Sequence, residues 1–144
     1  LIELLSQPIV SGDIEINQWI EPEYIKCKAI DGNVNISGNL IELPNFSNVL
    51  ITGNFNCSNN KFTSLSGAPI KVKGNFDCSY NKLTYLYGSP EYVGKSFSCY
   101  FNQLISLEGA PETVGKNFYC YRNKVKFTIK DVNEVSSVGQ KIFV

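Results

Sequence analysis

The chain has 144 residues, 43% of them hydrophobic, which is enough for the core of one domain spanning residues 1–144. Lys plus Arg and Asp plus Glu number 13 each, so the whole-chain balance gives no reason to expect nucleic acid or a membrane surface as partner. The absence of His excludes Ser-His-Asp and Cys-His catalysis, and no apolar run approaches membrane-spanning length.

Leu1–Ser11 is apolar, with Pro8 interrupting it, and reads as an N-terminal cap (residues 1–11) over the open end of a core. Gly12-Asp13-Ile14-Glu15-Ile16 alternates polar and apolar, as a half-buried strand does. Trp19, Ile20 and Pro22 are expected to close that first unit. Gly32-Asn33-Val34-Asn35-Ile36 opens a second unit, 20 residues on from the first.

From here the chain repeats. Phe55, Phe76, Phe97 and Phe118 step by 21 residues, as do Cys57, Cys78, Cys99 and Cys120, and Asn60, Asn81, Asn102 and Asn123. Val34, Ile36 and Asn39 stand one unit earlier. Phe62, Leu83, Leu104 and Val125 follow each Asn by two places. Leu65, Leu86 and Leu107, then Gly67, Gly88 and Gly109, then Pro69, Pro90 and Pro111 keep the same step. Ile51, Val72, Val93 and Val114 complete the unit. A fixed period of this size predicts a solenoid. Six rungs are expected, centred near Glu15, Asn35, Asn56, Asp77, Ser98 and Tyr119. At ~4.8 Å per parallel strand the stack is roughly 25 Å long. Phe and Cys should point inward and their neighbours outward. Each recurring Asn is expected to satisfy backbone groups inside a bend, and each Gly to permit positive φ or close approach of coils.

The unit V-x-x-x-F-x-C-x-x-N-x-L-x-x-L-x-G-x-P resembles the leucine-rich repeat segment L-x-x-L-x-L-x-x-N-x-L, with Phe and Cys in two leucine positions. Its tail is similar to the Pro-containing short repeats of bacterial effectors, and Leu43-Pro44-Asn45-Phe46 is nearest to that wording. Similar repeats occur in bacterial and tailed-phage proteins. The resemblance covers about two thirds of the chain, and the repeats as a whole are expected over residues 12–127. It implies a mainly β, leucine-rich-repeat-like solenoid with parallel sheet and few helices. It carries over no catalytic residue and implies no cofactor.

After Val125 the repeat stops. Thr128-Ile129-Lys130-Asp131 has capping-box spacing. Val132, Val135 and Val138 fall near one helical face, and Gly139 is expected to stop that helix. Lys141–Val144 reads as a last edge strand. Residues 128–144 are therefore expected to form a C-terminal cap, and the edge strand offers a route to homo-oligomers.

Five cysteines, four of them at one repeat position and none in a C-x-x-C pair, read as a stacked row of buried thiols rather than as disulfides or metal ligands. Reduced thiols suit a cytoplasmic setting, which for a phage-encoded chain is the host cytoplasm. No basic start precedes an apolar stretch, so no signal peptide is expected. The carboxylates are scattered: Asp13 and Glu15 share a strand face, while Glu91, Glu108 and Glu112 fall in connecting segments. An enzyme is not expected.

A binding surface is. Between Phe and Cys the unit carries Asn56, Asp77, Ser98, then Tyr119. After Cys it carries Ser58, Ser79, Tyr100, then Tyr121, followed by Asn59, Tyr80, Phe101, then Arg122. Polar residues give way to aromatics toward the C-terminus. Tyr80, Tyr100, Phe101, Tyr119, Tyr121 and Arg122 are the candidate partner-binding residues, because Tyr and Arg dominate protein-binding hot spots. Their alternative role is a ladder that only stabilises the sheet. Tyr85, Tyr87 and Tyr92 are expected past the strand. The leading expectation is a protein-interaction module, with a host factor inhibited by a phage or bacterial accessory protein as its sharper form. A glycan-binding module is the alternative. Nucleic-acid binding through Lys116, Arg122, Lys124, Lys126 and Lys130 is disfavoured by the neutral charge. Residues 1–72 carry a net −3 and residues 73–144 a net +3.

Overall fold

A computed structural model describes residues 1–144. The chain winds as a β-solenoid. It starts with α1 (Ile2–Leu5), then β1 (Ile9–Ser11), β2 (Ile14–Ile16), a single 3-10 turn at Pro22–Tyr24, β3 (Ala29–Asp31) and β4 (Val34–Ile36). Two-residue strands follow in pairs: β5 (Leu50–Ile51) and β6 (Phe55–Asn56), β7 (Lys71–Val72) and β8 (Phe76–Asp77), β9 (Tyr92–Val93) and β10 (Phe97–Ser98), β11 (Thr113–Val114) and β12 (Phe118–Tyr119). The chain ends with α2 (Ile129–Val135), β13 (Ser137–Val138) and β14 (Ile142–Phe143). No helix is long and apolar enough to cross a membrane.

Each coil carries two strands, not one. Odd-numbered strands pair in parallel into one seven-stranded sheet and even-numbered strands into a second. The register follows the repeat: Phe55 pairs with Phe76, Phe76 with Phe97, and Phe97 with Phe118. The six expected coils are present, and the C-terminal segment adds a seventh rung. The N-terminal cap segment likewise contributes β1, which pairs with β3.

The core runs the length of the stack between the two sheets and the outer arc. Phe55, Phe76, Phe97 and Phe118 form one column with ring centroids 5.5, 5.7 and 5.1 Å apart, all fully buried. Burying each ring contributes about 1.5–3 kcal/mol. Leu65, Leu86 and Leu107 line the arc side, while Ile51, Val72, Val93 and Val114 point in from the first sheet.

Two ladders of polar side chains hold coil to coil. The buried one is the expected Asn series. Asn81 Nδ2 donates to the Cys57 carbonyl at 3.0 Å and the Cys78 carbonyl at 3.1 Å, and its Oδ1 accepts the Phe62 N–H at 3.0 Å. Asn60, Asn102 and Asn123 repeat the pattern. Asn39 does not join it. It lies exposed at φ 55° beside Gly38 at φ 96°, because the coil it belongs to is one residue short. The second ladder, unforeseen in sequence, occupies the corner between the two sheets. Asp13 Oδ1 accepts the Asn33 N–H, Asn33 the Asn54 N–H, Asn54 the Asn75 N–H and Asn75 the Ser96 N–H, at 2.8–2.9 Å. Gly109 combines both expected roles: φ is 86°, and a Cβ there would lie 2.3 Å from the Tyr87 nitrogen.

The capping box is present: Thr128 N–H donates to Asp131 Oδ2 at 2.7 Å, and Asp131 N–H to Thr128 Oγ1 at 3.2 Å. The contact with Thr128 holds the Asp131 carboxyl below the usual range. Two details of the cap are corrected. The helix ends at Val135 with Ser136 extended, so Gly139 does not stop it. Gly139 turns the corner between β13 and β14, where a Cβ would lie 2.2 Å from the Gly115 carbonyl. Val138 belongs to β13 and not to the helical face, because its strand pairs with β11. The final strand forms as expected, Ile142 beside Phe118 and Phe143 beside Tyr119.

The four repeat thiols line up in one buried column, and all five cysteines are free. Cys78 and Cys99 Sγ donate to the carbonyls of Ser98 (3.2 Å) and Tyr119 (3.4 Å) in the next coil. Burial raises the Cys57, Cys78 and Cys99 thiols well above their ordinary range, with Asp77 nearby adding to it. Cys120 is pushed up to about 12, again chiefly by burial. A raised thiol pKa in the fold means stability is full below the unfolded value and falls as pH rises through it. Resistance to thermal unfolding should therefore fall from about pH 8.5 upward, each thiol contributing up to about 1.4 kcal/mol per pH unit. A melting temperature flat to about pH 10.5 would contradict this.

Candidate interaction surface

The backbone after each inward Cys turns through a left-handed residue before reaching the buried Asn. That residue is Asn59 (φ 57°), then Tyr80 (54°), Phe101 (51°) and Arg122 (57°). Asn is at ease there, whereas a bulky side chain costs roughly 1–2 kcal/mol. The turn projects all four side chains from the same edge of the second sheet, one coil apart.

The side chains then stack. Tyr80 and Phe101 are parallel at 4.6 Å, and the Arg122 guanidinium carbon sits 5.9 Å from the Phe101 centroid. A second column lies beside it, with Tyr100 and Tyr121 stacked at 4.8 Å. The columns meet edge-on, Tyr80 against Tyr100 at 5.6 Å and Phe101 against Tyr100 at 6.1 Å. Beneath them Ser79 is buried, its hydroxyl donating to Asp77 Oδ1 at 2.5 Å. Partial burial, helped by the neighbouring phenols, raises the Tyr121 pKa and keeps it a neutral donor. Tyr80 and Phe101 remain 45% and 40% exposed, so two parallel stacked rings meet solvent across adjacent coils. A cavity of about 380 Å³ opens beside Tyr121 and Arg122, lined also by Phe127 and Val144.

Five of the six candidate residues thus share one edge. Tyr119 is placed differently. It stands on the outward face of β12, takes a hydrogen bond from Asn117 Nδ2 at 3.0 Å, and stacks on Phe143 at 4.7 Å. Phe143 was missed in sequence because it lies in the cap, outside the 21-residue register. Tyr85, Tyr87 and Tyr92 lie apart from both. Tyr85 stacks on Tyr87, the Tyr87 hydroxyl donates to Glu108, and Lys71 Nζ lies 5.0 Å from the Tyr92 ring centroid. Tyr92 is not past a strand but begins β9.

Surface ion pairing is sparse. Lys130–Glu134, at 3.9 Å and largely solvated, is the one salt bridge, worth about 0.3–0.5 kcal/mol. The Arg122 guanidinium takes part in no salt bridge.

The two parallel sheets, the stacked Asn ladders and the thiol column define a β-solenoid repeat protein. No family model, curated protein or solved structure matches the chain.

Proposed function

We propose that this protein is a non-enzymatic interaction module that grips a protein partner through Tyr80, Tyr100, Phe101, Tyr121 and Arg122, flanked by Tyr119. The observation that supports this most is the left-handed backbone beneath Tyr80, Phe101 and Arg122. A ladder serving stability alone would gain about 0.5–1.5 kcal/mol per stacked pair, no more than the backbone cost of each bulky residue. Asn59 shows the cheaper solution one coil earlier. The aromatics are better explained by what they present than by what they stabilise.

The surface is also preformed. Stacked rings held by a regular backbone lose little freedom on binding, and Tyr with Arg supplies large contact area and directional donors. The likeness of the repeat to bacterial and tailed-phage sequences favours a host protein, bound and inhibited, as the partner.

Two measurements test the reading. In affinity capture from host lysate, the Tyr100→Ala/Tyr119→Ala double variant should lose the captured protein while thermal unfolding stays cooperative. Phe101→Asn should change stability by less than about 1 kcal/mol, because relief of backbone strain offsets lost stacking, yet weaken capture at least about tenfold. Undiminished capture by both variants removes this edge from consideration. Hits on a glycan array with no captured protein would favour the adhesion reading instead.

A further inference from the structure

A second surface lies near the opposite end of the solenoid and has different chemistry. Three cavities of about 570, 470 and 280 Å³ all share Trp19. Together they make a groove that runs from α1, past the 3-10 turn, to the arc of the second coil. Its apolar surface is Ile2, Trp19, Tyr24 and Ile41, between 40% and 69% exposed. Ile41 is thrown outward by the shortened coil: Leu40 N–H, not that of Ile41, reaches the Asn60 Oδ1. The charged side chains in the groove are of one sign. Glu3, Glu21 and Glu42 line it, and no Lys or Arg does. No salt bridge engages these carboxylates.

We infer that this groove takes a basic amphipathic protein segment, its apolar face on Trp19 and Ile41 and its Lys or Arg side chains on Glu21 and Glu42. Exposed apolar anchors take an apolar partner face, and the carboxylates beside them select a cationic one. A preformed groove lined by spaced apolar anchors is the way amphipathic helices are held. This inference is independent of the aromatic edge, which is built from later coils.

Trp19 is the only tryptophan, so its fluorescence reports the groove alone. Titration with a synthetic amphipathic leucine–lysine peptide should shift the emission to the blue and saturate. The Glu21→Gln/Glu42→Gln variant should weaken that binding about fivefold with unchanged thermal unfolding, since both side chains are exposed. Ile41→Ser should weaken it as well, and a leucine–glutamate peptide should not saturate. The inference is overturned by any of three results: no saturable response to the lysine peptide, equal affinity in the double Gln variant, or equal binding of the glutamate peptide. A saturable response to a neutral oligosaccharide without one to the peptide would assign the groove to glycan and overturn it too.

Discussion

Asn81→Ala should lower the unfolding free energy by about 3–5 kcal/mol, seen as a fall in the urea midpoint. The side chain is 8% exposed and bonds two coils at once. Its removal leaves the Phe62 N–H without an acceptor and takes one of two donors from each of the Cys57 and Cys78 carbonyls, which keep Asn60 and Asn102 respectively. The abandoned N–H costs about 1–3 kcal/mol and each bond lost to a carbonyl about 0.5–1.5 kcal/mol more, and the alanine methyl offers no acceptor in place of the amide. The corner ladder provides the control. Asn75 Oδ1 also accepts one N–H from the next coil, that of Ser96, but it is exposed and water can stand in. Asn75→Ala should therefore cost about 1 kcal/mol. Equal losses in the two variants would show that the buried amides do not couple the coils. In a one-dimensional stack the Asn81 defect lies mid-chain, so the transition should also broaden as the halves unfold less together.

Gly94→Ala should be comparably damaging, about 3 kcal/mol, for a reason unrelated to backbone freedom. Gly94 does not have positive φ. The obstacle is the Lys73 carbonyl oxygen, which would lie 2.2 Å from the added Cβ. The obstructing atom is backbone, held by the coil beneath, so the coils must part locally to admit one methyl group. Gly12 is the converse case. Its φ is 100°, yet nothing lies within 4 Å of an added Cβ. Gly12→Ala should therefore show only the strain of a left-handed residue, about 1 kcal/mol. Chemical denaturation of the two variants separates close approach from conformational freedom. A Gly94→Ala protein as stable as Gly12→Ala would mean that coil spacing is adjustable.

How far the fold was legible depends on how many residues carry each signal. The Phe, Cys and Asn columns were readable because four identical residues recur at one step, and only stacking gives that recurrence a physical use. The first sheet was not readable as strands. Lys71–Val72 and Tyr92–Val93 each present a single inward apolar residue, too short a run for alternation to register. The corner residues Asn33, Asn54 and Asn75 look like ordinary turn formers, and only the register shows that each accepts from the coil above. Gly139 carries the composition of a helix stop, yet pairing of Ser137 with Thr113 places it at a corner instead.

The candidate edge divides the same way. That Tyr80, Tyr100, Phe101, Tyr121 and Arg122 occupy outward repeat positions follows from spacing alone. That three of them sit on a left-handed backbone does not, because propensity argues against bulky residues there and only the neighbouring coils enforce it. Trp19 precedes the regular repeat, and Ile41 holds the Phe62 position by spacing yet is thrown outward by the shortened coil, so no periodicity could join them. The period alone determined that coils stack and which side chains face the core, since a single thin coil cannot bury its own apolar face. The tertiary structure decided that each coil has two strands, how its corners are cross-linked, and which aromatics meet. Those features depend on hydrogen bonds and ring contacts between residues about one turn of the solenoid apart, and such contacts exist only once the coils lie against each other.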